Sequence, residues 1–183
     1  MTCLLAVDPG LTRTMAVYMT DLPDRIAVYD KPVVDGEINH HELARLIRSF
    51  SPDVAWIERV GPMPRDGVKQ AWRFGYCTAA RVVVSLLEIP ITLVTPGAWK
   101  KAMKVAGARD GKEQCRALAL QLFPACAASF ARKKDSGRAE AALLALYAAQ
   151  RRATEPGRIR EQEFARELAT IYANSDLREG IGE

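Results

Sequence analysis

Short apolar runs alternate with longer amphipathic stretches along this chain, and the pattern predicts a mixed α/β fold. Three strands come first, in CLLAVDP, TMAVYMTD and RIAVYDK, with a Leu-Pro-Asp turn between the last two. Apolar residues then recur at helical spacing in HHELARLIRSF, with Asn39 as the predicted N-cap. DVAWIERV is a continuous apolar run, typical of a strand buried on both faces, and ITLVTP is a fifth strand.

Helices separate and follow the last two strands. We expect a long helix from about residue 68 to residue 88, a short one in GAWKKAMK, and longer ones in GKEQCRALALQLF and SGRAEAALLALYAAQRR. Three strands followed by alternating helix and strand predict a five-stranded mixed sheet flanked by helices, antiparallel across strands 1 to 3 and parallel across strands 4 and 5. We assign residues 1–153 to this domain and residues 154–183 to a C-terminal helical extension and tail.

Composition narrows the class of protein. A chain of 183 residues fits one domain with a small extension, and its net charge of +4 is a mild signal for nucleic acid or another anionic surface. The N-terminus reaches an acid too early for a signal peptide, and no apolar run approaches the length of a membrane span. Four cysteines without CxxC spacing are typical of reduced thiols. We therefore expect a cytoplasmic protein without a membrane partner.

Four acids stand where apolar runs end or helices begin. Asp8 and Glu58 lie at the carboxyl ends of strands 1 and 4, and Asp135 and Glu140 lie at the start of the last long helix. A right-handed crossover can place strands 1 and 4 side by side and parallel, and ligand sites gather at that sheet edge. Carboxylates near apolar surroundings need a partner, and hard divalent cations prefer oxygen ligands. The set predicts metal-assisted chemistry on a polyanion.

Each acid also has a structural interpretation. Asp8 before Pro-Gly fits the start of a turn, and Asp135 fits a helix N-cap. The remaining two acids fit ion pairs, namely Glu58 with Arg59 or Arg81, and Glu140 with Arg138 or Lys134. We favour a shared site for the set because all four acids occur where the predicted fold converges.

Six segments between residues 3 and 150 match a known family in order. They are LLAVDPGLT, DVAWIERV, MPRDGVKQAWRFGYCTAA, IPITLVTPGAWKKAM, KEQCRALALQLFP and RKKDSGRAEAALLALY. Together they resemble the RuvC-type Holliday junction resolvases of the RNase H-like superfamily, particularly the phage and prophage branch. The resemblance implies an RNase H-like fold and an endonuclease that depends on Mg²⁺ or Mn²⁺, with two ions per active site. It also implies a homodimer that nicks two strands symmetrically at a four-way DNA junction.

The resemblance assigns catalytic, metal-binding roles to the acids. It implies that Asp8, Glu58 and Glu140 occupy the family's acidic positions. Many members place two acids three residues apart on the last helix, and the position three residues before Glu140 is Gly137. Asp135 is therefore expected to supply the fourth carboxylate from a different place in the chain.

Basic residues flank the acids in sequence and are the predicted DNA contacts. They are Arg65, Lys69, Arg73, Lys100, Lys101, Lys104, Arg132, Lys133, Lys134 and Arg138. Phosphate contacts dominate nucleic-acid affinity, although any one cluster also fits a solvated face. Lys133 or Lys134 is a candidate to polarise the scissile phosphate. Some family members carry an aromatic wedge after the acid of strand 4, where this chain offers only Met63 or Trp72.

A stripe of small residues on the long helix is the predicted dimer contact. Gly75, Thr78, Ala79 and Val82 follow helical spacing, although packing on the protein's own sheet also fits this pattern. Two further functions remain open from the sequence. One is a broader RNase H-like nuclease for flaps, forks or RNA-containing structures, and the other is a catalytically inactive DNA-binding protein with the same fold.

Overall fold

The computed structural model describes residues 1–8, 14–59, 68–105 and 111–154, with the backbone alone for residues 68–74 and 76–77. The chain divides into two compact units, Met1–Ala149 and Gln150–Glu183. The central sheet belongs to the first unit. Residues 155–183 of the predicted C-terminal extension lie outside the described residues, and the predicted boundary between residues 153 and 154 stays a prediction.

A five-stranded mixed sheet forms the centre of the first unit. Its strands are β1 (Cys3–Val7), β2 (Thr14–Met19), β3 (Ala27–Asp30), β6 (Val54–Glu58) and β7 (Ile91–Val94), while β4 (Val33–Val34) and β5 (Glu37–Ile38) form a separate two-stranded ribbon. The order in the large sheet is β3-β2-β1-β6-β7. β2 pairs antiparallel with β1 and β3, whereas β1, β6 and β7 run parallel. The predicted α/β sheet is thus confirmed, including its division into antiparallel and parallel parts.

The short ribbon of β4 and β5 was not predicted. Its turn consists of Asp35 and Gly36, both with positive φ, at 51° and 81°. Asp-Gly is a strong signal for a two-residue hairpin, because both residues tolerate the left-handed backbone that such a turn requires. Two-residue strands are too short to show an alternating pattern, so this dipeptide was the available clue.

Within the described parts of the chain, five α-helices occur close to their predicted positions. They are α1 (His40–Phe50), α2 (Val68–Leu86), α3 (Pro96–Ala102), α4 (Gly111–Leu122) and α5 (Ser136–Thr154). The side chain of Asn39 accepts a hydrogen bond from the Glu42 amide at 3.1 Å, which confirms the predicted cap of α1. Two 3₁₀ segments that were not predicted, Pro124–Phe130 and Lys133–Asp135, connect α4 to α5.

Helices cover both faces of the sheet, and their packing sets where α5 begins. One face packs against α1 and α2 through a core that includes Leu5, Ile57 and Val84. On the other face, the ring of Trp56 meets Tyr147 of α5 edge to face, with 5.8 Å between centroids. The start of α5 lies near the first residue of β2, since Gly137 closely approaches Thr14. Because β2 is antiparallel to β1, α5 begins at the edge where β1 ends.

Candidate active site

Parallel pairing of β1 and β6 brings the first two acids to one sheet edge. Val7 is in register with Ile57, and Asp8 and Glu58 are the next residues on each strand. Asp8 is buried and Glu58 is half-buried. Burial raises the pKa of Glu58, and the negative charge of Asp8 is the second cause of that rise. The structure therefore brings these two carboxylates within electrostatic reach of each other, as the strand order predicted.

The backbone at Asp8 is held by two hydrogen bonds. The Asp8 amide donates to the Thr14 carbonyl at 3.1 Å, and the Lys31 ammonium donates to the Asp8 carbonyl at 2.9 Å. Lys31 is buried, which is unusual for lysine. It therefore places a cation beside the edge where the acids meet. Nothing in the sequence around Lys31 marked it as part of this edge.

Glu140 joins the first two acids from α5. It is buried in the second turn of that helix, and its charge also raises the pKa of Glu58. Three carboxylates from β1, β6 and α5 thus share one electrostatic environment. A carboxyl whose pKa is raised by burial and by neighbouring carboxylates, as that of Glu58 is, is typical of functional sites.

Helix α3 contacts two of these acids through consecutive residues. Trp99 is fully buried, and its Nε1 donates to Glu58 Oε2 at 2.7 Å. The Lys100 ammonium donates to Glu140 Oε1 at 2.8 Å and stands 5.2 Å from the centroid of the Trp99 ring. The Trp99 hydrogen bond and the Lys100 charge both act to lower the pKa of Glu58, against the stronger effect of burial.

These contacts revise the structural interpretation of two acids. Among the described residues, neither Arg59 nor Arg81 forms an ion pair with Glu58, whose hydrogen bond comes from Trp99. Glu140 is paired with Lys100, which was predicted only as a DNA contact. Trp99 was missed because a buried tryptophan is ordinarily core. Its position just after β7, the strand beside β6, was the available signal.

Asp135 has a different environment. It ends the 3₁₀ segment before α5, where its buried carboxylate accepts hydrogen bonds from the amide, Nε and Nη2 of Arg132 at 2.9, 3.1 and 2.9 Å. These bonds hold the pKa of Asp135 below its usual range. The predicted position just before the helix is correct, but the carboxylate accepts from Arg132, which precedes it, so Asp135 is the third residue of a capping box on the 3₁₀ segment and not the N-cap of α5. A role as a fourth catalytic ligand stays a prediction.

Gly137 marks a close approach between α5 and the sheet. A Cβ atom added there would lie 3.3 Å from Thr14 Oγ1, which is tighter than an ordinary van der Waals contact. Thr14 is itself buried. A side chain at position 137 therefore requires Thr14 to shift, which gives a physical reason for glycine where an acid was expected.

A polar cleft of about 360 Å³ opens beside Asp135. Four of its lining residues are cations, namely Lys112, Arg132, Lys134 and Arg138. Arg132 is paired with Asp135, and Arg138 with Asp30 of β3. Lys112 and Lys134 have no carboxylate partner among the described residues. The cleft therefore carries an excess of positive charge, to which Lys112 adds a cation that the sequence prediction omitted.

The remaining predicted DNA contacts vary in how well they can be placed. Lys101, Lys104 and Lys133 are exposed. Arg65 and the proposed wedge residue Met63 lie outside the described residues. Lys69, Arg73 and Trp72 lie on α2, where only the backbone is described. Their predicted roles stay predictions.

The outer surface of α2 is partly apolar. Val82 and Leu86 are 50% and 76% exposed, and Arg81 and Ser85 lie beside them around a shallow depression. Gly75 is exposed and Ala79 is half-buried. Among the predicted dimer positions, Val82 thus presents apolar surface to solvent. No helix within the described residues combines the length and apolar character needed to cross a membrane.

The acids suit a hard cation in their chemistry but do not surround one. Carboxylate oxygens are the ligands that Mg²⁺ prefers. Among the described residues, however, no three acidic, histidine or cysteine side chains come together in a group that could hold a metal ion. Trp99 and Lys100 already engage one oxygen each of Glu58 and Glu140. The donor set fits Mg²⁺, while its present arrangement is closed by protein contacts.

Comparison with known proteins supports the fold. No family model matches the sequence, and no curated protein matches it. The structure is similar to T. thermophilus RuvC in complex with Holliday junction substrate, with a TM-score of 0.59 and 16% identity over 85% of this chain and 97% of that chain. A second Thermus thermophilus RuvC structure gives a TM-score of 0.51 and 15% identity, over 81% and 95% of the two chains. The chain therefore has the mixed α/β fold of RuvC, consistent with the RNase H-like class.

Proposed function

We propose that this protein is a metal-dependent, structure-selective endonuclease that resolves four-way DNA junctions by paired symmetric nicks. The observation that carries the proposal is the meeting of Asp8, Glu58 and Glu140 at one edge of a RuvC-like sheet. We place its action in the cytoplasm, in DNA recombination and repair or in phage DNA processing. The free thiols of Cys3, Cys115 and Cys126 suit a reducing compartment. Membership of the phage and prophage branch stays a prediction.

The chemistry assigns separate tasks to the residues of the site. Hydrolysis of a phosphodiester builds negative charge beside three carboxylates, which by themselves would repel the substrate. Two Mg²⁺ ions, or Mn²⁺, would supply the opposing charge and an activated water. In this proposal Asp8, Glu58 and Glu140 hold those ions, with Asp135 as a candidate fourth ligand. Trp99 orients Glu58 through its indole N–H.

The basic cleft beside Asp135 is the proposed path of the DNA backbone. Lys112 and Lys134 are exposed cations that line this cleft, and Lys133 is the exposed residue just before Lys134. Contacts of this kind hold phosphates without reading bases, which suits an enzyme that selects for branched shape. We therefore expect junction affinity to fall steeply with salt, since each neutralised phosphate releases counterions.

A homodimer is part of the proposal because paired nicks need two active sites. The exposed side chains of Val82 and Leu86 on α2 are the surface that supports it. A two-fold dimer also suits the symmetry of a four-way junction. Sedimentation of the protein is expected to give a dimer, and Val82→Arg to shift it toward monomer. A strict monomer at all concentrations would contradict paired cleavage.

The decisive experiment is cleavage of a synthetic four-way junction with Mg²⁺ present. We expect paired nicks on the junction, little action on a linear duplex of the same arms, and loss of cleavage with retained binding in Asp8→Asn. Full cleavage by Asp8→Asn would exclude the proposed site. Equal cutting of junction and linear duplex would instead favour the broader RNase H-like nuclease. Binding without cleavage by the unaltered protein would favour the inactive homologue.

A further inference from the structure

Lys100 provides a positive charge inside the acidic cluster. We propose that its ammonium is an internal counter-ion of Glu140, and that a divalent cation binds fully only after Lys100 leaves that carboxylate. The inference rests on the proposed function, because it concerns the metal that function requires.

The ion pair between Lys100 and Glu140 is largely buried. Lys100 Nζ lies 2.8 Å from Glu140 Oε1, and the two side chains are 19% and 6% exposed. Exposed ion pairs contribute little, whereas removing one partner of a buried pair leaves an uncompensated charge. The partners lie on α3 and α5 and are 40 residues apart in sequence. The pair therefore depends on the tertiary fold.

The surroundings of Lys100 explain why a cation is needed there. Glu58 and Glu140 interact unfavourably as like charges, and Asp8 adds a third. The Lys100 ammonium offsets this repulsion while no metal is bound. It stands over the Trp99 ring, whose N–H holds Glu58, so two consecutive residues hold both carboxylates. A metal ion would supply the same compensation, and would compete with Lys100 for the oxygens of Glu140.

Lysine is suited to such an exchange. Its charge sits at the end of a flexible four-carbon stem, unlike the planar fork of arginine. Lys101, the next residue on α3, is exposed, and no ion pair engages it among the described residues. Lys101 is therefore a matched control, because it has the same charge on the same short helix without the contact to Glu140.

The test measures Mn²⁺ binding without DNA, from the electron paramagnetic resonance signal of the free ion. Lys100→Met is expected to bind Mn²⁺ about tenfold more tightly than the unaltered protein, the factor for a resting pair that is about 90% formed. Lys101→Met is expected to remain close to the unaltered protein, and Lys100→Arg to bind Mn²⁺ no more tightly than the unaltered protein, because the guanidinium keeps the charge and leaves Glu140 less readily. Equal or weaker binding by Lys100→Met would overturn the inference.

Thermal melting gives a second measurement that also shows whether the variant folds. Without metal, Lys100→Met is expected to melt below Lys101→Met, because Glu140 loses its counter-ion. Saturating Mn²⁺ should then raise its melting temperature more than that of the unaltered protein, through tighter binding to the folded state. An equal or smaller rise would count against the inference.

The outcomes separate this inference from the proposed function. Tighter Mn²⁺ binding by Lys100→Met, with no cleavage of any junction by the unaltered protein, would support the counter-ion and remove the nuclease. Junction cleavage by the unaltered protein, with no gain of Mn²⁺ affinity in Lys100→Met, would support the nuclease and overturn the counter-ion inference. Absence of Mn²⁺ binding in every variant would overturn both the inference and the metal requirement.

Discussion

Two buried acids near the start of α5, Asp135 and Glu140, have opposite kinds of partner. Asp135 is held by Arg132, three residues earlier in the chain, whose side chain is 56% exposed. Glu140 is held by Lys100, 40 residues away on α3, whose side chain is 19% exposed. A local pair can form as its helix forms, whereas the distant pair requires the complete fold. The contrast predicts a mainly structural role for Asp135 and a catalytic role for Glu140.

The electrostatic surroundings of Asp135 and Glu140 also differ. Arg132 lowers the pKa of Asp135, so that its charged form is favoured in the folded protein. Glu140 instead stands in a cluster where burial and like charges raise the pKa of Glu58. An acid whose charged form is disfavoured by burial and by neighbouring carboxylates, as that of Glu58 is, is typical of active sites.

The largest expected effect is a contrast in cleavage rate between these two acids. Glu140→Gln should lower the rate of junction cleavage about 10³-fold, because a lost metal ligand removes several kcal/mol of transition-state stabilisation. Asp135→Asn, the matched change, should reduce it far less. The measurement is single-turnover cleavage with binding checked separately. Equal losses in both variants would restore Asp135 as a full ligand and end the contrast.

A smaller effect is expected from the indole that orients Glu58. Trp99→Phe removes the hydrogen bond to Glu58 and should lower metal affinity or cleavage by about 10- to 100-fold, as is usual for residues that orient a ligand. Trp56→Phe is the control, because the Trp56 indole is also buried but its N–H has no hydrogen-bond partner in the described structure. Similar losses in both variants would reduce the role of Trp99 to packing.

The thermal stability of the protein should rise when Glu58 loses its charge. The folded protein holds the Glu58 proton more tightly than the unfolded chain does, so stability falls as pH rises from about the ordinary value of 4.5 through the raised pKa. Glu58→Gln should therefore melt at a higher temperature than the unaltered protein at neutral pH, with the gain disappearing in acid. A lower melting temperature at neutral pH would show that Glu58 stabilises the fold.

The smallest expected effect concerns Arg132, and its pH dependence has the opposite sign. Because the pKa of Asp135 is lowered, the pair stabilises the protein above the ordinary value of 3.8 and loses that effect as pH falls through the lowered pKa. Arg132→Gln should melt slightly lower than the unaltered protein at neutral pH and equally in strong acid. A difference that persists in acid would mean that Arg132 acts through other contacts.

The sheet was predictable from sequence because each strand is a compact apolar run and each helix repeats its own period. Asp8 and Glu58 followed from strand order alone, since parallel neighbours end at one edge. The contacts of Trp99 and Lys100 with the acids did not follow, because the packing of α3 against the other elements cannot be derived from local pattern. Lys31 was missed because it donates to a backbone carbonyl, a contact that no local sequence pattern indicates.

The contact between Gly137 and Thr14 has a consequence for how this arrangement of acids can change over time. An aspartate at position 137 would give two acids three residues apart on α5, but its Cβ would press on the buried Thr14 hydroxyl. Thr14→Ala removes that hydroxyl, at the cost of some packing. An acid at position 137 is therefore easier to accommodate where β2 begins with a smaller residue, because Thr14 would otherwise have to move by a few tenths of an ångström.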